Sequence, residues 1–325
     1  MSTLEMVDHT KKERKANVLI RHLNLVILLL LIVIPSLTNP NFRTIQNLEG
    51  FLQSSGILIL LAMGEALVLL VAGVDLSVGA TIALGSVLLS LSIAGGMNTI
   101  LAVALTLVAA TATGILNGVI VSYLKIPSFI TTFGMMGLEV SIALVISGGN
   151  RISLPTSSAL PALASSSVVG VPYQIWLVIF VVVVGTFFLR HYAIGRHLYA
   201  VGSNPSAARL SGVSVPRTLL LAFAGSGLLA GLAATVYTAR IVSGDPIAAG
   251  NLNLQAIAAA VIGGVSLFGG RGTLVGACIG AIIYQIITNV LNLYGIDPNI
   301  TEVSGGLIIL LAAYANVTGL RDNRT

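Results

Sequence analysis

Apolar residues fill this chain in blocks of 16 to 23, with short polar breaks between them. The blocks fall at residues 23–38, 51–72, 76–94, 99–121, 126–148, 171–189, 218–239, 251–267, 273–293 and 302–319. A helix needs about 20 apolar residues to cross a bilayer, so the pattern predicts about ten spans, with eight and twelve as the even-numbered alternatives. The shorter blocks are expected to be broken or tilted. A transmembrane barrel would show alternating strands of about ten residues instead, and none is visible. The expected fold is therefore all-α, a polytopic transmembrane helical bundle.

Charge gives this pattern a direction. With both termini in the cytoplasm, 13 of the 16 Lys and Arg residues fall on that side. Only Arg43, Arg151 and Arg240 fall on the other, the bias that orients membrane proteins. An odd number of spans would move Arg321 and Arg324 to the wrong side. The predicted organisation is a cytoplasmic tail at 1–22, a transmembrane domain at 23–319 with a cytoplasmic loop at 190–217, and a second tail at 320–325. Charged residues make up 8% of the chain, against about a quarter in soluble domains. The net charge of +5 then reflects positive cytoplasmic loops, and no nucleic-acid partner is expected. No cleavable signal is expected in the first block, because Leu23–Leu37 lacks a small-residue cleavage site. Cys278 is the only cysteine and reads as a small hydrophobe.

An internal echo is present. "DLSVGATIALGSVL" (75–88) resembles "NLQAIAAAVIGGVSL" (253–267), and "TGILNGVIV" (113–121) resembles "TNVLNLYGI" (288–296). "IPSFITTFG" (126–134) answers to "DPNITEVSGG" (297–306). Corresponding spans lie five apart, so the halves would be inverted, as in many transporters. Chance similarity among Gly/Ala/Val-rich helices gives the alternative.

Polar residues inside the spans are the candidates for chemistry. Gly276 and Gly280 have the small-xxx-small spacing of close helix packing. "GVSLFGGR" (264–271) imitates a phosphate loop but has Gly270-Arg271 where Lys-Ser/Thr is needed, so no P-loop ATPase lies in this chain. Asp75, between two spans, is expected to cap the helix starting at Leu76 through the Ser77 and Val78 amides. Glu65 and Glu139 sit near span centres, where carboxyls are rare. They read as solute acceptors, as proton-coupling groups, or as buried protonated packing residues. Asn117, Ser128, Thr131, Thr132, Asn253, Gln255 and Asn292, beside Phe129, could line a path for a hydroxyl-rich solute, or each could bond a neighbouring helix. No residue set points to a metal site or to a catalytic triad.

One loop looks soluble. In "VGSNPSAARLSGV", Asn204 is a helix N-cap, Pro205 fits the first helical position, and Gly212 fits a left-handed C-terminal cap. A helix of about seven residues is unstable alone, and no partner is evident in its own chain.

Four segments in order resemble the ribose-type ABC importer permeases of bacteria: "GVDLSVGA", "LNGVIVSYLKIPSFITTFGMMG", "VGSNPSAARLSGV" and "LQAIAAAVIGGVSLFGGRGTLVGA". The resemblance covers residues 50 to 310. It implies a permease subunit of the bacterial inner membrane, similar in fold to vitamin B12-type importer permeases. The implied partners are a cytoplasmic ABC ATPase, a periplasmic or lipid-anchored sugar-binding protein, and a second permease copy or a paralogue, all in membrane lipid. ATP and magnesium would be held by the ATPase, with no cofactor in this chain. The family's coupling element maps onto Asn204, Pro205, Ala207, Ala208, Arg209, Leu210, Ser211 and Gly212. Departures occur at Glu65, at Val140 and Ser141, and at Asn253 and Gln255, all in expected path regions, and they leave the solute open. The candidates are a monosaccharide or polyol, with autoinducer-2, a nucleoside or a branched-chain amino acid as alternatives. An ion-coupled secondary transporter using Glu65 and Glu139 is the reading from a different class, and a membrane scaffold without transport is a third.

Overall fold

The computed structural model describes residues 28–297 except Ala249, together with Ile300, Val303, Gly306 and Leu307. The tails at 1–22 and 320–325 lie outside the described residues, as does nearly all of the span expected at 302–319. Nine of the expected spans correspond to helices: α1 Leu28–Thr38, α2 Ile45–Leu70, α3 Val78–Ala94, α4 Thr99–Tyr123, α5 Ser128–Ser147, α7 Tyr173–His191, α10 Val215–Ile241, α11 Leu252–Ile262 and α12 Leu274–Leu293. Among the described residues through 297 there are also three short α-helices, α6 Ala162–Ser165, α8 Ala193–Ser203 and α9 Pro205–Leu210, and a 3-10 turn at Pro40–Arg43. The chain is a helical membrane protein, and α2, α4, α5, α7, α10 and α12 are each long and apolar enough to cross a bilayer. The 11 residues of α11 rise only about 16 Å, about half of a hydrocarbon core. It stops at Gly263, four residues before the end expected from hydropathy.

Local sequence explains the boundaries. Thr44, Asn98 and Thr273 each accept a bond from an amide in the first turn of α2, α4 and α12. The α5 helix starts after Pro127 and ends at Gly148, whose φ of 62° is left-handed.

The α2 and α10 helices form the buried centre, while α4, α5 and α7 expose most of their surface. Exposed positions on α7, such as Phe180, Val183 and Phe187, are apolar, as a lipid-facing surface requires. The packing is reciprocal: α10 lies against α3 and α4, and α2 lies against α11 and α12. Small residues make the closest crossing. A Cβ at Gly114 of α4 would strike the Phe223 carbonyl and lie 3.1 Å from Gly227 of α10. At Gly118 it would lie 2.8 Å from the Leu220 Cα. In α12, Gly276 and Gly280 allow the same approach to Gly263 and Ala259 at the end of α11.

Two short antiparallel ladders complete the described structure. β1 (Ile152–Ser153) pairs with β4 (Ser243–Gly244), and β2 (Ser167–Val168) pairs with β3 (Val171–Pro172). The first joins the segment after α5 to the segment between α10 and α11.

Candidate functional site

Two regions carry the polar residues, one inside the bundle and one at its end. The inner one is built on the break between α2 and α3. There α2 closes with a left-handed residue, Ala72 at φ 60°, and the Gly73 and Ala72 amides return to the Val68 and Leu69 carbonyls. The chain is then non-helical over residues 73–75, and its backbone groups need partners because no water reaches hydrocarbon. Helix α5 supplies them. Ser128 Oγ accepts from the Val74 amide (3.1 Å), and Thr132 Oγ1 accepts from the Leu76 amide (3.0 Å). Thr132 also donates to the Ser128 carbonyl at 2.9 Å.

Asp75 lies at the centre of this break, 1% exposed. Its Oδ1 accepts from the Ser77 amide (3.0 Å) and hydroxyl (2.6 Å), and its Oδ2 from the Ser226 hydroxyl on α10 (2.9 Å). Asn117 of α4 donates to the Ser77 hydroxyl at 2.9 Å. Glu65 accepts from the Asp75 amide at 3.3 Å. Nearby, Glu139 accepts from Thr81 at 2.7 Å. Of the two bonds expected of Asp75, the one from the Ser77 amide is present and none from Val78 is seen. Helix α3 begins at Val78 rather than Leu76, with Ser77 as an N-cap whose own side chain makes no capping bond. Asp75 holds a turn two residues earlier and ties it to α10.

The network therefore joins Glu65, Asp75, Asn117, Thr132 and Glu139. Phe129 is not among them. It is 58% exposed and stacks on Phe133 along the outer face of α5. One residue of helix rotates a side chain by about 100°, which separates Phe129 from Ser128. Asn253 and Gln255 lie on the first turn of α11, half-buried, with the Asn253 amide 3.6 Å from the Met136 sulfur of α5. Asn292 is exposed near the C-terminal end of α12, away from the network.

Among the described residues no Lys, Arg or His bonds to Glu65, Asp75 or Glu139, and no group of side chains is arranged to hold a metal. Glu65 Oε2, Asn117 Oδ1 and Glu139 Oε1 are buried without a protein partner. Hydroxyl and amide donors satisfy the rest, so the arrangement works as a latch between helices and holds no nucleophile with its base.

The second region is α8–α9. Asn204 Oδ1 accepts from the Ser206 and Ala207 amides, both at 3.0 Å, and Pro205 occupies the first helical position. At the other end Gly212 takes φ 82°, with Gly212 N–H to the Arg209 carbonyl and Val213 N–H to the Ala208 carbonyl. That pair of bonds is the Schellman closure. The expectation that this helix lacks a partner in its own chain is corrected: Ala208 is 4% exposed and packs among Leu70, Leu198, Val201 and Val215. Leu210, by contrast, is 91% exposed. Pro205, Ala207, Arg209, Ser211 and Gly212 are exposed beside it.

Sequence reasoning missed how firmly this element is anchored. Residues 193–203 form α8, whose Gly195, Leu198 and Gly202 fall on one buried face at helical spacing. The Gly202 position admits no side chain because it abuts the Leu70 carbonyl. The Gly270 amide donates to that same carbonyl (3.0 Å), and Tyr199 donates to the Gly272 carbonyl (2.8 Å). The end of α2, helix α8 and the 269–272 turn are thus one clamp. Also missed were the Ser77 hydroxyl, Thr81, Ser226 and the pairing of Arg151 with Asp245 (2.7 Å), none of which stands out by local pattern.

Comparison with known proteins agrees with this architecture. The family described as branched-chain amino acid transport system / permease component matches residues 47–313. The ribose import permease protein RbsC of Haemophilus influenzae is 34% identical, over 96% of this chain and 97% of that protein. RbsC of Escherichia coli K12 is 36% identical, over 89% and 91%. The autoinducer 2 import system permease protein LsrC of Enterobacter sp. 638 is 38% identical, over 84% and 79%. No solved structure matches the chain.

Proposed function

This chain belongs to the family of ribose-type ABC importer permeases, and from that premise we propose that it carries a monosaccharide across the bacterial inner membrane by alternating access. The observation that carries this reading is α9. It is a rigidly capped helix with an apolar side chain, Leu210, held out at 91% exposure on a base fused to α2. A leucine so placed fits a groove on another protein. That protein is a cytoplasmic ATPase, which binds ATP and magnesium, while this chain is a non-enzymatic subunit. A sugar-binding protein delivers solute at the opposite end, and a second permease copy completes the pair.

Orientation follows from charge: α9 and both tails (1–22 and 320–325) lie in the cytoplasm, and Arg43, Arg151 and Arg240 lie outside. The membrane domain is residues 23–319, with ten spans in two inverted repeats and the coupling loop at 190–217. The exchange of packing partners between α2–α4 and α10–α12 supports the repeat. The fold is that of the vitamin B12-type importers. Glu65, Asn117, Thr132 and Glu139 shape the inner path from behind its wall, with Asn253, Gln255 and Asn292 nearer the solute.

The test uses the permease reconstituted with its ATPase and binding protein. Leu210→Asp is expected to lower ATP-driven ribose uptake at least tenfold and to weaken ATPase association, with membrane insertion unchanged. Uptake at the wild-type rate in that variant would sink the coupling assignment. A second reading, autoinducer-2 as solute, has its own support in the 38% identity to LsrC. Competition between ribose and autoinducer-2 for uptake decides between them.

A further inference from the structure

At the end of the bundle opposite α9, the first turns of α2 and the last turns of α10 and α12 enclose a cleft of about 240 Å³. Its lining is unusual for spans so apolar. Asn47 and Ser54 lie seven residues apart on one face of α2, and Gln285, Asn289 and Asn292 share one face of α12. Arg240, in the last turn of α10, closes the third side. Gln285 and Asn292 carry amides with no side-chain partner among the described residues, beside an exposed Arg240, so the cleft offers donors and acceptors free to meet a solute.

Resting on the transport reading above, we propose that this cleft is a binding site for an uncharged monosaccharide ring, where solute enters the permease from the outside. A sugar hydroxyl both donates and accepts, and Gln285 and Asn292 each offer a carbonyl and an NH2 group to match, while Asn47 and Asn289 hold each other. Arg240 adds a fork of donors and makes no ion pair among the described residues. Phe51 of α2 supplies an apolar wall for a ring face. The floor is preorganised: the Asn47 and Asn289 amides bond each other reciprocally, at 3.3 and 2.8 Å, and Asn47 also donates to the Phe42 carbonyl at 3.0 Å. Pockets for drug-sized ligands run to about 300–1,000 Å³, so this smaller cleft fits a solute of single-ring size. Nothing lies within 4 Å of a Cβ built on Gly50, which lines the same cleft.

That open position gives the test. Cys278 is the only cysteine and is buried, so Cys278→Ser with Gly50→Cys provides one reporter thiol. In liposomes holding the permease with its ATPase, a membrane-impermeant maleimide added outside is expected to label the reporter. Saturating D-ribose is expected to slow labelling at least fivefold, and Gln285→Ala is expected to raise the protecting concentration about tenfold. A panel of pentoses and hexoses, with ribose 5-phosphate and adenosine, is run alongside. Labelling only from the inside, or labelling that no neutral sugar slows, overturns the proposal. So does protection by ribose 5-phosphate alone, because that assigns Arg240 to an anion. Uptake by the unmodified complex is measured in parallel. Ribose uptake without protection removes this site and leaves the transport reading standing. Protection without uptake of any sugar does the reverse.

Discussion

The connections between α2 and α3 and between α10 and α11 are built on one backbone device and closed by different chemistry. In each, a residue other than glycine takes a left-handed conformation, Ala72 at φ 60° and Val242 at φ 55°. In each, an aspartate follows three residues later, Asp75 and Asp245, 1% and 2% exposed. Both aspartates accept the amide two residues on, Ser77 and Ile247, at 3.0 Å. Helix α5 serves both. Hydroxyls from its first turns bond the segment after Ala72, and the strand that follows its end pairs with the segment after Val242. The difference lies in the remaining carboxylate oxygen. Asp75 gives it to the Ser226 hydroxyl, and Asp245 gives it to the Arg151 guanidinium. A break deep in the bundle is closed by neutral donors that need no hydration, whereas one at the rim takes a cation whose other face stays in water. Desolvation explains the choice: a guanidinium beside Asp75 would have to leave water entirely.

The largest expected effect comes from removing the neutral closure. Asp75→Leu leaves the Ser77 amide and hydroxyl and the Ser226 hydroxyl without their acceptor. At about 1–3 kcal/mol for each of these three stranded groups, a loss of at least about 3 kcal/mol is expected. Asp75→Asn keeps one acceptor oxygen and is expected to cost about 1 kcal/mol. Thermal unfolding of the detergent-solubilised protein measures both. A melting point for Asp75→Leu within a degree of wild type would show that the network does not hold the break.

The rim closure is weaker and should respond to salt. Arg151 is 67% exposed, so its pair with Asp245 is discounted to about 1 kcal/mol despite the short contact. Arg151→Ala is expected to cost about that much at low ionic strength. Its deficit should shrink at 1 M salt, where the Debye length is about 3 Å. The deficit of Asp75→Asn should not move with salt, because no ion pair is lost there. Equal salt responses would erase the distinction between the two closures.

Most of this pairing was invisible along the chain. Spans, caps and the short helix at 205–210 are written in local patterns: apolar blocks, Asn-Pro at a helix start, Gly at its end. The internal echo matched Asp75 to Asn253 because helices α3 and α11 share composition. The backbone matches Asp75 to Asp245 instead, across a connection with four extra residues before α11. A polar "SGDP" in a loop carries no periodicity to mark it as buried. Likewise, Ser226 and Thr81 look like ordinary small residues of apolar helices, and only the fold brings them to Asp75 and Glu139. Helix α8 is legible in principle, since Gly195, Leu198 and Gly202 recur at helical spacing, but Arg196 and His197 give the segment the composition of a charged loop.

The smallest effect tests the shared device itself. A left-handed conformation costs an L-residue about 1–2 kcal/mol, and a β-branched side chain is the worst suited to it. Glycine removes that cost but adds about 0.5–1 kcal/mol of unfolded-chain entropy. Val242→Gly is therefore expected to stabilise the protein by about 0.5–1 kcal/mol, since Val242 is 44% exposed and loses little packing. Ala72→Gly should gain less, because alanine pays less in this region and its methyl lies beside the Gly269 turn of the α8 clamp. The order matters more than either value. If Val242→Gly melts lower than wild type, the valine side chain is holding the rim connection by packing. The two breaks would then share a backbone path without sharing its cause.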